Sequence, residues 1–440
     1  MEETYNFTIP LIGTPDIPSP IKMSTVIGDR LANYVREDEY ILYDIEARPD
    51  EQPKQCKKEH LLERAGPREL IYFHPGHVHA GIVTCGGLCP GLNDVIRAIV
   101  RALYNLYGVR RITGIQYGYK GFLPEYNIPT LPLDPDVVDD IHHRGGTILG
   151  SSRGGGEIKE IASAIERMNL NILFTIGGDG TQRGALKIAE ELEQRNMKVA
   201  MIGVPKTIDN DISFVQKSFG FETAVAIAVD AVNSAHIEAS NAINGVGLVK
   251  VMGRESGFIA AHTALANNDV NFVLIPEIPF DLRGKNGLLE HLKNRLKEKS
   301  HAVILVAEGA GQELLEESNK KDPSGNKELQ DIGHYLQKRI PKYLAEEGIN
   351  VNLKYIDPSY MIRSAPAHPN DSIYCARLGT HAVHAAMAGR TKALISLINN
   401  NFVHLPIKMA VSERNYVDPE GSLWRDVLEV TTQPPIMKNP

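Results

Sequence analysis

Short runs of uninterrupted apolar residues alternate along this chain with longer stretches in which apolar positions recur every third or fourth residue. Residues 79–85, 171–176, 199–204, 245–251, 272–275, 302–307 and 352–356 form the short runs and read as buried strands. Asn93 opens a stretch carrying Val95, Ile96, Ile99, Val100, Leu103 and Leu106, which is helical spacing, and Gly108 closes it. A second such stretch carries Ala185, Ile188 and Leu192. Strands with no polar alternation, separated by helices, predict parallel sheets covered on both faces. About seven such strands over about 300 residues predict an α/β fold of two Rossmann-like lobes with a cleft between them.

The first 75 residues break this rhythm. Pro10, Pro15, Pro18 and Pro20 interrupt the opening, and charged stretches at 36–39 and 54–59 follow. Too few apolar residues remain for an independent core, which predicts an extended N-terminal arm wrapping another surface. Residues 313–328 are polar around Lys320-Lys-Asp-Pro-Ser-Gly325 and read as a mobile surface loop.

Composition narrows the function more than the fold. The chain has 440 residues, 42% hydrophobic and 23% charged, which excludes wholesale disorder and a collagenous chain. Its net charge of −7 gives no general attraction for nucleic acid or an anionic membrane, so any phosphate must be held by a local site. The Met1-Glu-Glu-Thr4 start is no secretory signal, and no apolar run approaches the roughly 20 residues of a membrane helix. Four cysteines in this length are no disulfide framework, and Cys85 and Cys89, four apart, fit neither a redox pair nor a zinc knuckle. The expectation is a cytoplasmic protein with reduced thiols.

Ligands of doubly wound sheets sit at the carboxyl ends of the strands, and four predicted strand ends carry unusual residues. Cys85-Gly-Gly-Leu-Cys-Pro-Gly91 can turn backbone N–H groups toward an anion, although it matches neither the Walker nor the dinucleotide pattern. A plain tight turn remains open there. Thr175-Ile-Gly-Gly-Asp-Gly-Thr181 places an acidic residue between glycines, suited to Mg²⁺ on the phosphates of a nucleotide, with a helix cap as the bland alternative. Pro205-Lys-Thr-Ile-Asp-Asn-Asp211 sets two carboxylates beside a lysine and a hydroxyl, suited to taking a proton and neutralising phosphate charge. Val251-Met-Gly-Arg-Glu-Ser-Gly257 puts Arg254 at a helix start, where its planar fork suits phosphate oxygens or a surface ion pair. Glu308, Tyr360 and Arg363 extend a polar ring able to hold sugar hydroxyls and a phosphate.

Taken in order, Gly-Gly-Leu-Cys-Pro-Gly-Leu-Asn, Ile148-Leu-Gly-Ser-Ser-Arg153, Gly-Gly-Asp-Gly-Thr, Pro-Lys-Thr-Ile-Asp-Asn-Asp, Met-Gly-Arg, Pro276-Glu277 and Ala-Glu-Gly-Ala310 resemble the 6-phosphofructokinase family. The likeness spans about residues 79–389. The Lys-Thr-Ile-Asp form and Tyr117-Gly-Tyr-Lys-Gly121 look like the branch with plant and trypanosomatid ATP-dependent enzymes.

The resemblance implies roles residue by residue. Gly87, Arg153, Gly154, Gly178, Asp179, Gly180 and Thr181 match the ATP site, with Asp179 on Mg²⁺. Asp209 matches the general base acting on the 1-hydroxyl of fructose 6-phosphate, with Thr207 and Asp211 flanking it and Ile208 alongside. Met252, Gly253, Arg254, Glu308, Lys354, Tyr360 and Arg363 match the sugar-phosphate site. The implied layout is an arm over 1–75, an ATP-binding lobe over 76–217 plus about 372–395, a fructose 6-phosphate lobe over 218–371 plus about 396–425, and a tail over 426–440. A homo-oligomer, by family habit a tetramer under allosteric control, is also implied.

The chain departs from the short bacterial type at three places. Gly245 stands where that type has an arginine reaching in from a neighbouring subunit, Tyr360 replaces a histidine, and Lys354 replaces an arginine. The donor signs are divided: pyrophosphate users commonly carry an aspartate where this chain has Gly180, yet they share Lys206. The expected activity is ATP-dependent phosphorylation of fructose 6-phosphate in glycolysis. A pyrophosphate-dependent enzyme, a lipid or NAD kinase, and a non-catalytic regulatory subunit are the alternatives.

Overall fold

The computed structural model describes residues 5–45, 58–316 and 328–440. Cys56 and residues 317–327 of the polar loop lie outside them. The chain divides into two compact units. The first comprises Met1–Thr207, Ile212–Gly220 and Ala365–Arg414; the second comprises Ile208–Asp211, Phe221–Ser364 and Asn415–Pro440.

The arm contributes four short strands to the first unit: β1 (Ile17–Pro18), β2 (Tyr40–Leu42), β3 (Leu61–Glu63) and β4 (Leu70–Ile71). β1 pairs with β4 and β2 with β3, both antiparallel. Lacking a core of its own, the arm lends Phe7 and Leu62 to the core of the first unit and is tied down by charge as well. Arg390, fully buried, donates to Glu63 from Nε at 3.0 Å, and Arg68 donates to the same carboxylate at 2.8 Å. Burial alone would raise the Glu63 pKa; bonds and charges from His404, Arg390 and Arg68 outweigh it and hold the carboxyl well below its usual range.

The large sheet of the first unit begins with β5 (His79–Thr84), β6 (Arg111–Ile115), β7 (Leu131–Pro132), β8 (Ile172–Gly177) and β9 (Ala200–Pro205). The second unit then supplies β10 (Gly245–Val251), β11 (Phe272–Leu274), β12 (His301–Ala307) and β13 (Asn352–Ile356), after which the chain returns for β14 (Ala393–Ile398) and β15 (Asn401–Pro406). The large sheet has the order β15-β14-β9-β8-β5-β6-β7, parallel through its middle with antiparallel β15 and β7 at its edges. Every residue of β8 and β9 is buried, which is why these strands show no polar alternation. The second sheet, β11-β12-β10-β13, is wholly parallel.

Strand order fixes where each sheet can bind. From β5 the chain moves to β6 on one side, then returns to β8 on the other, so the switch point lies between β5 and β8. In the second sheet the corresponding point lies between β10 and β12. Three of the four singled-out strand ends, those of β5, β8 and β10, border these switch points; the fourth follows β9.

Five placements differ from the sequence expectation: residues 208–211 fall in the second unit, residues 218–220 and 365–371 in the first, and two further stretches also move. Residues 396–414 lie in the first unit, because β14 pairs in parallel with β9 and β15 folds back on β14. Residues 426–440 belong to the second unit, where the Asn439 side chain donates to Asp281 at 2.8 Å. Among the described residues no helix is long and apolar enough to cross a membrane.

Candidate active site

In the first unit, β5 delivers the chain to a turn that only glycine takes easily. Gly86 sits at φ +89°, its N–H donates to the Ser152 carbonyl at 3.0 Å, and its own carbonyl accepts the Ser151 hydroxyl at 2.6 Å. The Lys206 ammonium donates to the Gly87 carbonyl at 2.9 Å, and the Lys206 N–H donates to Gly177 at 3.1 Å. A side chain on Gly87 would stand 3.6 Å from the Arg153 guanidinium, and one on Gly178 would stand 3.2 Å from the Lys206 carbonyl. Gly87, Arg153, Gly178 and Lys206 therefore meet at the carboxyl ends of β5, β8 and β9. Gly154 follows Arg153 in an exposed turn at φ +80°.

Asp179 and Gly180 open the helix Asp179–Gln194, with Gly178 as its cap. Nothing lies within 4 Å of where a Gly180 side chain would begin, so that side of the helix start is open. The Asp179 carboxylate is engaged: Arg183, one turn on, donates its Nε to both oxygens at 3.1 and 3.0 Å. Thr181 is held through its carbonyl, which accepts the buried Tyr119 hydroxyl at 2.8 Å. Burial pushes the Cys85 thiol up to about 12, so it stays protonated and serves as packing.

The second unit carries the other half of the predicted residues. Asp209 and Asp211 lie in its segment Ile208–Asp211, and Ile208 packs against its core. Asp209 has one carboxylate oxygen, Oδ1, sealed from solvent. Burial first, then the charges of Asp211 and Glu308, push its pKa up to about 8; the Arg254 backbone N–H and the Arg363 charge oppose that rise. Asp209 is thus the strongly perturbed carboxyl among these residues, a mark of sites that move protons.

Arg254 and Glu308 leave adjacent strands. Glu308 N–H donates to the Val251 carbonyl at 2.9 Å and Gly309 N–H to Gly253 at 3.0 Å, which locks the end of β12 against the end of β10. A side chain on Gly309 would collide with the Arg254 carbonyl, so only glycine lets the loops come this close. Burial raises the Glu308 pKa, against Arg363, Lys250 and Arg254. Arg363 Nε lies 3.3 Å from the Met252 sulfur. Asp209, Met252, Gly253, Arg254, Glu308 and Arg363 thus form one cluster.

Lys354 and Tyr360 are placed differently. Lys354 is exposed on the edge strand β13, and Tyr360 is 82% exposed. In the helix Ser359–Ser364 the core takes Ile362, and Tyr360, two residues earlier, turns to the opposite side. Among the described residues, neither side chain is hydrogen-bonded to the cluster.

Three supporting groups were not singled out as site residues. Ser256, fully buried, donates its hydroxyl to the Asp209 carbonyl at 3.1 Å. Lys250 bridges Asp331 and Asp357, each at 3.0 Å; burial would lower its pKa, but these bonds hold it above the usual range. Glu277 accepts two backbone N–H bonds. The usable signal was positional: each lies within three residues of a motif or strand end.

A phosphofructokinase family model matches residues 79–386, well over half the chain. The chain belongs to the phosphofructokinase family. It is 57% identical over 444 residues to the ATP-dependent 6-phosphofructokinase of Borreliella burgdorferi, covering 99% of each chain. ATP-dependent 6-phosphofructokinase 1 of Arabidopsis thaliana is 46% identical over 443 residues, covering 100% of this chain and 92% of its own. The Trypanosoma cruzi ATP-dependent enzyme is 49% identical over 374 residues, covering 84% and 76%. Among solved phosphofructokinases, the pyrophosphate-dependent protein of Nitrosospira multiformis aligns with a TM-score of 0.67 over 82% of this chain and 93% of its own. At 20% identity that likeness speaks to the fold alone.

Proposed function

We propose that this chain is an ATP-dependent 6-phosphofructokinase. It moves the γ-phosphoryl group of ATP to the 1-hydroxyl of D-fructose 6-phosphate and releases ADP, a step of glycolysis. Asp209 carries the reading, since a carboxyl with a pKa near 8, receiving the Arg254 backbone N–H and facing the Arg363 charge, is built to take a proton next to an anion. Near-full-length identity of 57% with an ATP-dependent enzyme supports the same substrates.

In this reading deprotonated Asp209 accepts the hydroxyl proton as oxygen attacks the γ-phosphorus. Arg254 faces the phosphoryl oxygens, and Thr207 and Asp211 flank the reacting groups. Arg363, Met252, Gly253, Glu308 and Ile208 hold the sugar phosphate, with Lys354 and Tyr360 brought to it by its binding. On the donor side Gly87, Arg153, Gly154, Gly178, Gly180 and Thr181 cradle ATP, and Lys206 neutralises its phosphates. The chain runs from the donor residue Lys206 to the base Asp209 in three steps, so the two functions are covalent neighbours.

The donor set fits magnesium held chiefly by substrate. Among the described residues no group of three acidic, histidine or cysteine side chains could hold a metal. Mg²⁺ commonly takes one or two carboxylates and fills its shell with water and phosphate oxygens. Asp179, beside the open face of Gly180, would be its protein ligand, sharing its oxygens with Arg183. When bound, the ion neutralises charge developing on the phosphates. A homotetramer in the cytoplasm is the assembly this reading implies.

An aldolase-coupled assay tests the proposal. Purified protein given fructose 6-phosphate, ATP and Mg²⁺ should form fructose 1,6-bisphosphate at a typical kinase turnover of about 1–100 per second. Absence of product while the folded protein still binds both substrates would leave the regulatory-subunit reading standing instead.

A further inference from the structure

The proposed reaction leaves one half-buried carboxyl of the second unit, Glu277, without a role. Glu277 follows β11 and lies close behind the Arg254 loop. Its Oε1 accepts the Gly257 N–H at 2.9 Å and the Val417 N–H at 2.8 Å. Its Oε2 is sealed from solvent and has no hydrogen-bond partner. A carboxyl with one oxygen sealed and unsatisfied is a costly way to fill space, so packing alone does not explain it.

What the two bonds connect does explain it. Ser256, next to Gly257, donates its hydroxyl to the Asp209 carbonyl at 3.1 Å. Asn415, two residues before Val417, donates its N–H to the Asp211 carbonyl at 3.0 Å. The segment carrying both carboxylates is therefore held at two points, and Glu277 is the group that ties one holder to the other. Its pocket is shaped for it: a side chain on Gly257 would approach Oε2 to 3.0 Å.

We infer that Glu277 is a positioning residue for the reaction, fixing through Gly257 and Val417 the loop that aims the Asp209 carboxylate and shields it from water. Backbone N–H bonds to a carboxyl oxygen are directional and strong enough to set a loop. The inference rests on Asp209 being the base. It adds a residue that touches neither substrate.

The test compares Glu277→Ala and Glu277→Gln with wild type and with Asp209→Asn in the full-length protein. Readouts are kcat, KM for fructose 6-phosphate, the pH profile of kcat/KM and thermal stability. Glu277→Ala should lower kcat by about tenfold to a hundredfold, the penalty of a displaced reacting group, with KM changed less than about threefold. The charges acting on Asp209, those of Asp211, Glu308 and Arg363, are untouched by the substitution. Water admitted by a loosened loop relieves the burial that raises Asp209, so the acid limb should move to lower pH. Glu277→Gln keeps an acceptor for both N–H groups and should restore kcat to within about threefold of wild type, with the limb unmoved.

The inference is overturned if Glu277→Ala keeps wild-type kcat and limb. It is equally overturned if Glu277→Gln is as impaired as Glu277→Ala, or if the alanine loss tracks unfolding with an unmoved limb. Asp209→Asn separates the two layers. An active Asp209→Asn removes the base assignment and this inference with it, whereas an inactive one beside an unaffected Glu277→Ala removes the inference alone.

Discussion

The donor-side residues of the first unit and the acceptor-side residues of the second solve their tasks with opposite materials. In the first unit the donor loops are built from backbone and from side chains left out: Gly86 in a left-handed turn, Gly87 and Gly178 against Arg153 and Lys206, and Gly180 facing open space. In the second unit the acceptor loops are crowded with charge: Asp211, Glu308 and Arg363 act on Asp209, and Arg363, Lys250 and Arg254 act on Glu308. A triphosphate brings its own charge and needs N–H groups, cations and room. A sugar hydroxyl brings none, so the protein must supply a base and keep it poised. The contrast predicts that donor-side changes act through space and metal, and acceptor-side changes through proton transfer and ionisation.

The sharpest way to break that contrast is at the base. Asp209→Asn should lower kcat by about 10²–10⁴-fold with little change in KM for fructose 6-phosphate, measured by initial rates. Retention of more than about a tenth of wild-type kcat would assign the proton to another group. Asp179→Ala comes next. It removes the one donor-side carboxylate, which Arg183 now holds, and should cost at least about tenfold in rate at ordinary Mg²⁺ while the melting temperature stays near wild type. Full activity would remove Asp179 from the metal site.

Arg363→Lys probes the acceptor side alone. Lysine cannot reproduce a planar fork, so KM for fructose 6-phosphate should rise by about tenfold and KM for ATP hardly at all. Equal effects on both substrates would place Arg363 outside the sugar site. The smallest expected effect is a shift in pH. A base must be deprotonated, so kcat/KM should fall as pH drops through the raised pKa of Asp209, near 8 in the free protein. Asp211→Asn removes one of the charges that raise it and should move this limb to lower pH. An unmoved limb would show that Asp211 does not face the base.

The same contrast explains what the sequence made legible. Donor loops are local: a glycine run between an apolar strand and a helix announces itself, and the turns follow β5 and β8 as the pattern predicts. The acceptor cluster was legible as motifs but not as a network. Ser256 and Asn415 reach the 208–211 segment from distant parts of the chain, Glu277 joins them through Gly257 and Val417, and no local period marks such contacts. Asp179 was read as a ligand, yet Arg183 at helical spacing already signalled an ion pair. The strand β6 escaped because Arg111, Thr113 and Gly114 interrupt its apolar run. The β14–β15 hairpin was divided between lobes, although Asn399 and Asn400, both at positive φ, form its turn.

The claim that joins the two halves is the donor, and it turns on Gly180. A carboxylate there would face the α-phosphate of ATP across the space now open, and two like charges about 4 Å apart at an effective dielectric near 20 repel by ~4 kcal/mol. Lys206 can serve either donor, because an ammonium is a point charge without a preferred partner geometry. The most direct measurement is kcat/KM of the wild type for ATP and for pyrophosphate at saturating fructose 6-phosphate, repeated with Gly180→Asp. ATP should exceed pyrophosphate by at least about a hundredfold in the wild type, and Gly180→Asp should lose ATP use preferentially. Comparable use of pyrophosphate by the wild type would contradict the account.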